Sequence, residues 1–125
     1  MSFAQKEFTT PPQLPSPGTP ANSSSVHPWY TVGPGIWELL LNGSQDHKAV
    51  LQWWEPNITT ADTPITHTYI EEVCFVKGGL EDLTLKQAWG VGAYAYRKPG
   101  MLHGPYKASE EGCLMFVKCI PAEGI

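Results

Sequence analysis

Pro64 to Gly79 reads PITHTYIEEVCFVKGG, and the order of residue types in it decides the fold: a histidine, two glutamates, an apolar run and two glycines. Val73, Cys74, Phe75 and Val76 predict a strand, because β-branched and aromatic residues fit a pleated, half-buried surface. His67 and Glu71 differ by four positions, so on a continuous strand they share a face, as two ligands of one ion must. A second stretch, Gly92 to Lys107, reads GAYAYRKPGMLHGPYK and sets another histidine, His103, three residues beyond the Pro99-Gly100 turn. Together the two stretches read as a metal site in a small β-barrel.

The remainder of the 125 residues agrees with an all-β chain. Hydrophobic residues make up 42% and charged ones only 16%, with twelve glycines and twelve prolines, a mixture that favours short strands and tight turns over long helices. No window shows an apolar period of about 3.6 residues. The net charge of −4 and the absence of any basic run longer than Arg97-Lys98 remove the electrostatic footprint expected for nucleic acid or an anionic membrane. No apolar stretch approaches the roughly eighteen residues of a membrane span, and MSFAQKEFTT has no apolar core of a signal peptide, so the expectation is a soluble, cytoplasmic chain. Three cysteines without CxxC spacing fit reduced core thiols better than a disulfide framework.

Residues 1–26 contain PPQLPSPGTP and NSSS, too polar and Pro-rich to bury a core, and predict an irregular arm laid along the barrel or across a dimer. A single domain follows from 27 to 125. Its expected strands run from Ile36 to Leu41, then, after a break at Asn42-Gly43-Ser44 and a longish polar loop, from Ala49 to Trp54. The central stretch then continues to Val76, with a turn at Gly78-Gly79 and further strands at Leu80–Leu85, Lys86–Trp89, Gly92–Arg97 and Gly112–Ile120. About eight to ten such strands imply a jelly-roll barrel. Alternation along Leu51, Gln52, Trp53 and Trp54 turns one tryptophan outward, toward a subunit interface or a covering layer of the same chain.

The two stretches resemble the paired signature motifs of the cupin superfamily. His67, Glu71 four residues on and Gly78 seven further match the second histidine, the glutamate and the glycine of the first motif, and Gly92, Gly100 and His103 match the second. The wording EEVCFVKGGLED, KPGMLHGP and EGCLMFVK is similar to the ChrR-like cupin domains. Ile65 stands where the family places its first histidine, Lys98 replaces the second motif's proline, and Lys107 its final asparagine. The resemblance implies a cupin jelly roll, the double-stranded β-helix, and the metal ligands His67, Glu71 and His103. It also implies a homodimer.

Two imidazoles and one carboxylate form the donor set that suits Fe(II), with Mn(II) and Zn(II) as competitors. Glu71 is preferred to Glu72 on strand parity, although a bulge would reverse that choice. A lone histidine or a glutamate pair is more often structural than catalytic. Against this stands the cost of a carboxylate aimed into an apolar barrel, where neither Arg nor Lys in the same motif is placed to pair with it. Without a metal, His67 or His103 would act as acid or base beside a tyrosine. The expected pocket wall comprises Gln52 or Trp54, Ile65, Tyr94 or Tyr96, Tyr106 and Met115, a lining suited to a phenolic or polyketide-like metabolite. The functional expectation is a metal-dependent oxygenase of a small organic molecule. The alternatives are a redox-neutral isomerase, decarboxylase or cyclase, and a non-catalytic binding or sensing cupin.

Overall fold

Tight turns lay out the first half of the sheet. In the computed structural model, which describes residues 3–15, 28–60 and 67–122, Pro34-Gly35 joins strand β1 (Tyr30–Gly33) to β2 (Ile36–Ser44), with Gly35 at φ +73° as the reversal requires. A two-residue turn at Gln45-Asp46 then leads into β3 (His47–Trp54). Asn42-Gly43-Ser44 therefore continues β2 instead of ending it, absorbed by a bulge between Leu40 and Asn42, and no longish loop is present.

The second half is built on two long strands, β4 (Ile70–Asp82) and β7 (Tyr106–Ile120), with the short β5 (Gln87–Trp89) and β6 (Tyr94–Arg97) both pairing with β4. Gly78-Gly79 does not turn the chain. β4 runs through both glycines with register shifts on either side, and a Cβ at Gly78, where φ is +68°, would collide with the Gly112 carbonyl of β7. The reversal comes later, at Leu83–Lys86, where the Asp82 carboxylate accepts bonds from the Thr84 and Leu85 amides at 2.9 and 3.0 Å. Because these two strands span 13 and 15 residues, seven strands do what eight to ten short ones were expected to do.

All strand pairs are antiparallel, in the order β1-β2-β3-β7-β4-β5, and the described residues include no α-helix. Val50, Val117 and Val73 face one another in a single cross-strand row on the inner face, each at most 3% exposed. Such a row is worth about 1.5–3 kcal/mol per side chain in burial and fixes the register of the central sheet. Cys113 and Cys119 belong to this inner core as free thiols, whereas Cys74 is half-buried.

Neither Trp53 nor Trp54 is exposed. Trp54 packs inside, and Trp53 packs outside against Trp29, Trp37 and Leu39, with Leu14 of the arm laid against them. The Trp29 indole donates to the Gln13 carbonyl at 2.9 Å, and Ala4 exchanges two hydrogen bonds with the Asn42 amide. Of the two expectations for the outward tryptophan, a covering layer from the same chain is the one realised. Residues 16–27 and 61–66 lie outside the described residues, and with them the candidate wall residue Ile65.

Candidate metal centre

His67 sits in the bend just before β4 and Glu71 at the strand's second residue, so their shared side does not come from a continuous strand as expected. A backbone bond from Gly100 to the His67 carbonyl, 2.9 Å, ties that bend to the turn preceding His103. The two motif stretches are thereby brought face to face. His67 Nε2 lies 3.6 Å from Glu71 Oε2, and the imidazoles of His67 and His103 approach to 4.9 Å between ring centres. Glu72 points the other way, accepting a 2.6 Å bond from the exposed Tyr94 hydroxyl.

One ligand atom from each of His67, Glu71 and His103 lies within 4.8 Å of the others. An ion bonded to nitrogen and oxygen at about 2.0–2.2 Å holds its donors no more than about 4.4 Å apart. The trio therefore closes on a divalent ion with side-chain shifts of roughly half an ångström, and its N, N, O donor set is chemically suited to one. The His103 Nδ1 stands 3.3 Å from the Met101 carbonyl, and a proton donated there leaves Nε2 as the electron-pair donor. Burial, and next the nearby Arg97 guanidinium, lower the His103 pKa below its ordinary 6.5, which favours the neutral, ligating imidazole.

Against the expectation of an unpaired carboxylate, Glu71 Oε1 accepts a 3.0 Å bond from Arg97 Nη1, a pair with side chains only 12% and 15% exposed. The reason is cross-strand register: Arg97 pairs directly with Glu71, and alternation along β6 turns Ala95 and Arg97 inward. Arg97 Nη2 also donates to the Tyr106 hydroxyl at 2.7 Å. The same alternation sends Tyr94 and Tyr96 outward, 62% and 42% exposed, and neither lines the cavity beside His67.

That cavity, about 310 Å³, is walled by Gln52, Trp54, Tyr106 and Met115 as expected, and by Glu38, Tyr69 and Arg97, which sequence reasoning missed. Tyr69 stacks on His67 at 4.6 Å, and burial together with Glu71 holds its phenol protonated far above the usual range. Glu38 accepts from Gln52 Nε2 at 2.9 Å and from Tyr30 at 3.2 Å, while Gln52 Oε1 accepts from the Trp54 indole at 2.7 Å. Burial, then Glu38, pushes the Tyr30 phenol up to about 12. A signal for Glu38 was present: in the IWELLL stretch it is the one charge, at the parity opposite the Trp37–Leu39 pair. A larger hollow of about 790 Å³ lies between the arm and the outer face, away from the three candidate ligands.

Residues 21–123 match the profile of the ChrR Cupin-like domain. The chain belongs to the ChrR cupin-like family. Among curated proteins, none matches this cupin in sequence. Its fold is shared with an RmlC-like cupin of Shewanella frigidimarina at 16% identity, TM-score 0.62, over 78% of this chain and 87% of that one. It is also similar to a chain of the Rhodobacter sphaeroides complex of SigE with the anti-sigma ChrR, at 19% identity and TM-score 0.56. There the match covers 73% of this cupin but only 47% of the other chain. An acetylacetone dioxygenase of Acinetobacter johnsonii matches over 96% of this cupin and 80% of its own length, at 15% identity and TM-score 0.58. Identities this low speak for the jelly roll and not for a reaction. No helix among the described residues is long and apolar enough to cross a membrane.

Proposed function

We propose that this cupin is a metal-dependent enzyme of small-molecule metabolism, with His67, Glu71 and His103 holding one divalent ion, Fe(II) in preference to Mn(II) or Zn(II), and that it acts as an oxygenase. The observation that carries the reading is the convergence of the three donors, within 4.8 Å of one another, at the wall of a cavity of about 310 Å³. The ion would supply a redox-active Lewis-acid centre with open coordination positions, since the described residues bring three protein ligands together there. Around it the chain's own groups have defined tasks. Arg97 holds Glu71 Oε1 and leaves Oε2 turned to His67, and Tyr69 stacks on His67 to fix its ring. Trp54, Val73 and Met115 keep water from the wall opposite, where a weakly polar, phenolic or polyketide-like substrate would lie.

Metal analysis of the purified protein, with Fe(II)-dependent oxygen uptake, tests the proposal. The expected result is about one ion per chain in the wild type and a loss of roughly a hundredfold or more in affinity for His67→Ala and His103→Ala, exceeding the 10–100-fold typical of outer-shell changes. Equal metal content in wild type and both variants would sink it. A second reading, a ligand-binding module without catalysis, is favoured by one specific observation: the Arg97 pair already neutralises Glu71 without an ion. That reading expects metal-free protein and no oxygen uptake.

A further inference from the structure

Residues that wall the triad cavity also bound a neighbouring space. This second hollow, of about 320 Å³, adjoins the cavity, and the two share Val73, Phe75, Arg97, His103 and Tyr106 as a common wall. At the junction stands Arg97. Its guanidinium carries five N–H donors. One bonds Glu71 and one Tyr106, which leaves three for a ligand reaching the junction from either side.

The second hollow has a different character. Leu85, Trp89, Met101 and Leu102 line it from three separate segments, and they are 63%, 36%, 51% and 67% exposed. Large apolar side chains converging on one mouth and left open to water mark a binding groove more often than a plain surface. The one carboxylate lining this lobe among the described residues, Asp82, is buried and holds the Thr84 and Leu85 amides on its Oδ1. Unspent N–H donors at the junction and apolar surface beyond it thus lie end to end. Glu71 balances Arg97, and Glu38, which also lines the triad cavity, stands 3.8 Å from Lys48, so an ion at the triad would add positive charge beside the same junction.

We propose that the two hollows form one site for a small amphiphilic anion, its carboxylate or enolate head on the free donors of Arg97 and its apolar tail against Leu85, Trp89, Met101 and Leu102. The proposal rests on the reading of the triad cavity as a substrate site, and it narrows the substrate class from weakly polar to anionic at one end. It does not require the ion for binding.

The test is a titration of the full chain, with and without zinc, using octanoate, 1-octanol and acetate as probes and tryptophan fluorescence and thermal shift as readouts. Octanoate is expected to bind roughly tenfold or more tighter than octanol, the range of a hydrogen bond to a charged group. It is expected to exceed acetate by up to roughly fourfold per buried methylene. Arg97→Lys should keep the preference for acid over alcohol and Arg97→Gln should lose it. Leu102→Asp, a change at an exposed position that leaves the fold intact, should weaken octanoate roughly tenfold without altering metal content. Octanol binding as tightly as octanoate, or octanoate binding unchanged in Leu102→Asp, would overturn the proposal. Octanoate binding to a protein that takes up no metal would leave it standing and remove the metal-enzyme reading; metal uptake without octanoate binding would do the reverse.

Discussion

Replacing Arg97 by Met removes the charge that faces Glu71 at 3.0 Å and keeps most of the apolar stem. At an effective dielectric constant of about 20, two unit charges at this distance attract by about 5.5 kcal/mol. Breaking a buried pair on one side costs about 3–5 kcal/mol, because a carboxylate is left without compensation. The side chains are 12% and 15% exposed, so some water reaches Glu71 and the lower figure applies, about 3 kcal/mol. For a chain of this size that is a fall in Tm of about 10 °C in metal-free protein. The double variant Glu71→Gln/Arg97→Met should recover most of the loss, since no buried charge remains. Added Zn(II) should raise the Tm of Arg97→Met more than that of the wild type, because the ion then replaces the guanidinium that the carboxylate has lost. Calorimetric scans of the three proteins with and without Zn(II) measure all of these. A loss under about 1 kcal/mol in Arg97→Met would show that the pair does not neutralise Glu71. Equal Zn(II) shifts in variant and wild type would remove Glu71 from the metal site.

Burial, and after it Arg97, lowers the His103 pKa below 6.5, so the unfolded chain takes up a proton at a higher pH than the folded one. This part of the stability is present above pH about 6.5 and is lost as the pH falls toward the lower folded-state value; in Tm measured from pH 7.5 to 5, His103→Gln should fall less steeply than wild type. The Cys113 and Cys119 thiols, pushed up to about 12 and about 11 chiefly by burial, should stay unlabelled by a thiol reagent at pH 8 while half-buried Cys74 reacts. Rapid labelling of all three in native protein would contradict the inner core described for β7.

Much of the site was legible in the two stretches, because ligand spacing is local and survives without knowledge of pairing. The convergence of His67 with Glu71 was expected on a false premise, an unbroken strand, and arises from a bend pinned by Gly100. Arg97 was not legible as the partner of Glu71, since that contact depends on the register between β4 and β6, which no residue pattern in either strand states. Tyr94 and Tyr96 do not line the triad cavity for the same reason, and Tyr94 borders the second hollow instead: a four-residue strand offers two parities, and only pairing selects one. In the fold, glycines caused the errors. Gly43 and Gly78 have positive φ and read as turns, yet each sits inside a strand, Gly78 between two register shifts of β4 against β7. Their meaning depends on what lies opposite them.

The crossing of Gly78 and Gly112 carries one more consequence. β4 and β7 pass through it unbroken, so Val73 and Phe75 at the triad and Asp82 at the apolar lobe belong to one strand, as do Met115 and Tyr106. Neither strand can be exchanged, lengthened or shifted for the benefit of one chamber without disturbing the other. The apolar rim is carried by the connections that hang from the strand ends, Leu83–Lys86 and Lys98–Pro105, which hold Leu85, Met101 and Leu102, and the second of them also holds His103. Such an architecture divides the labour in two: a pair of strands common to both chambers, and a rim of apolar side chains carried outside them.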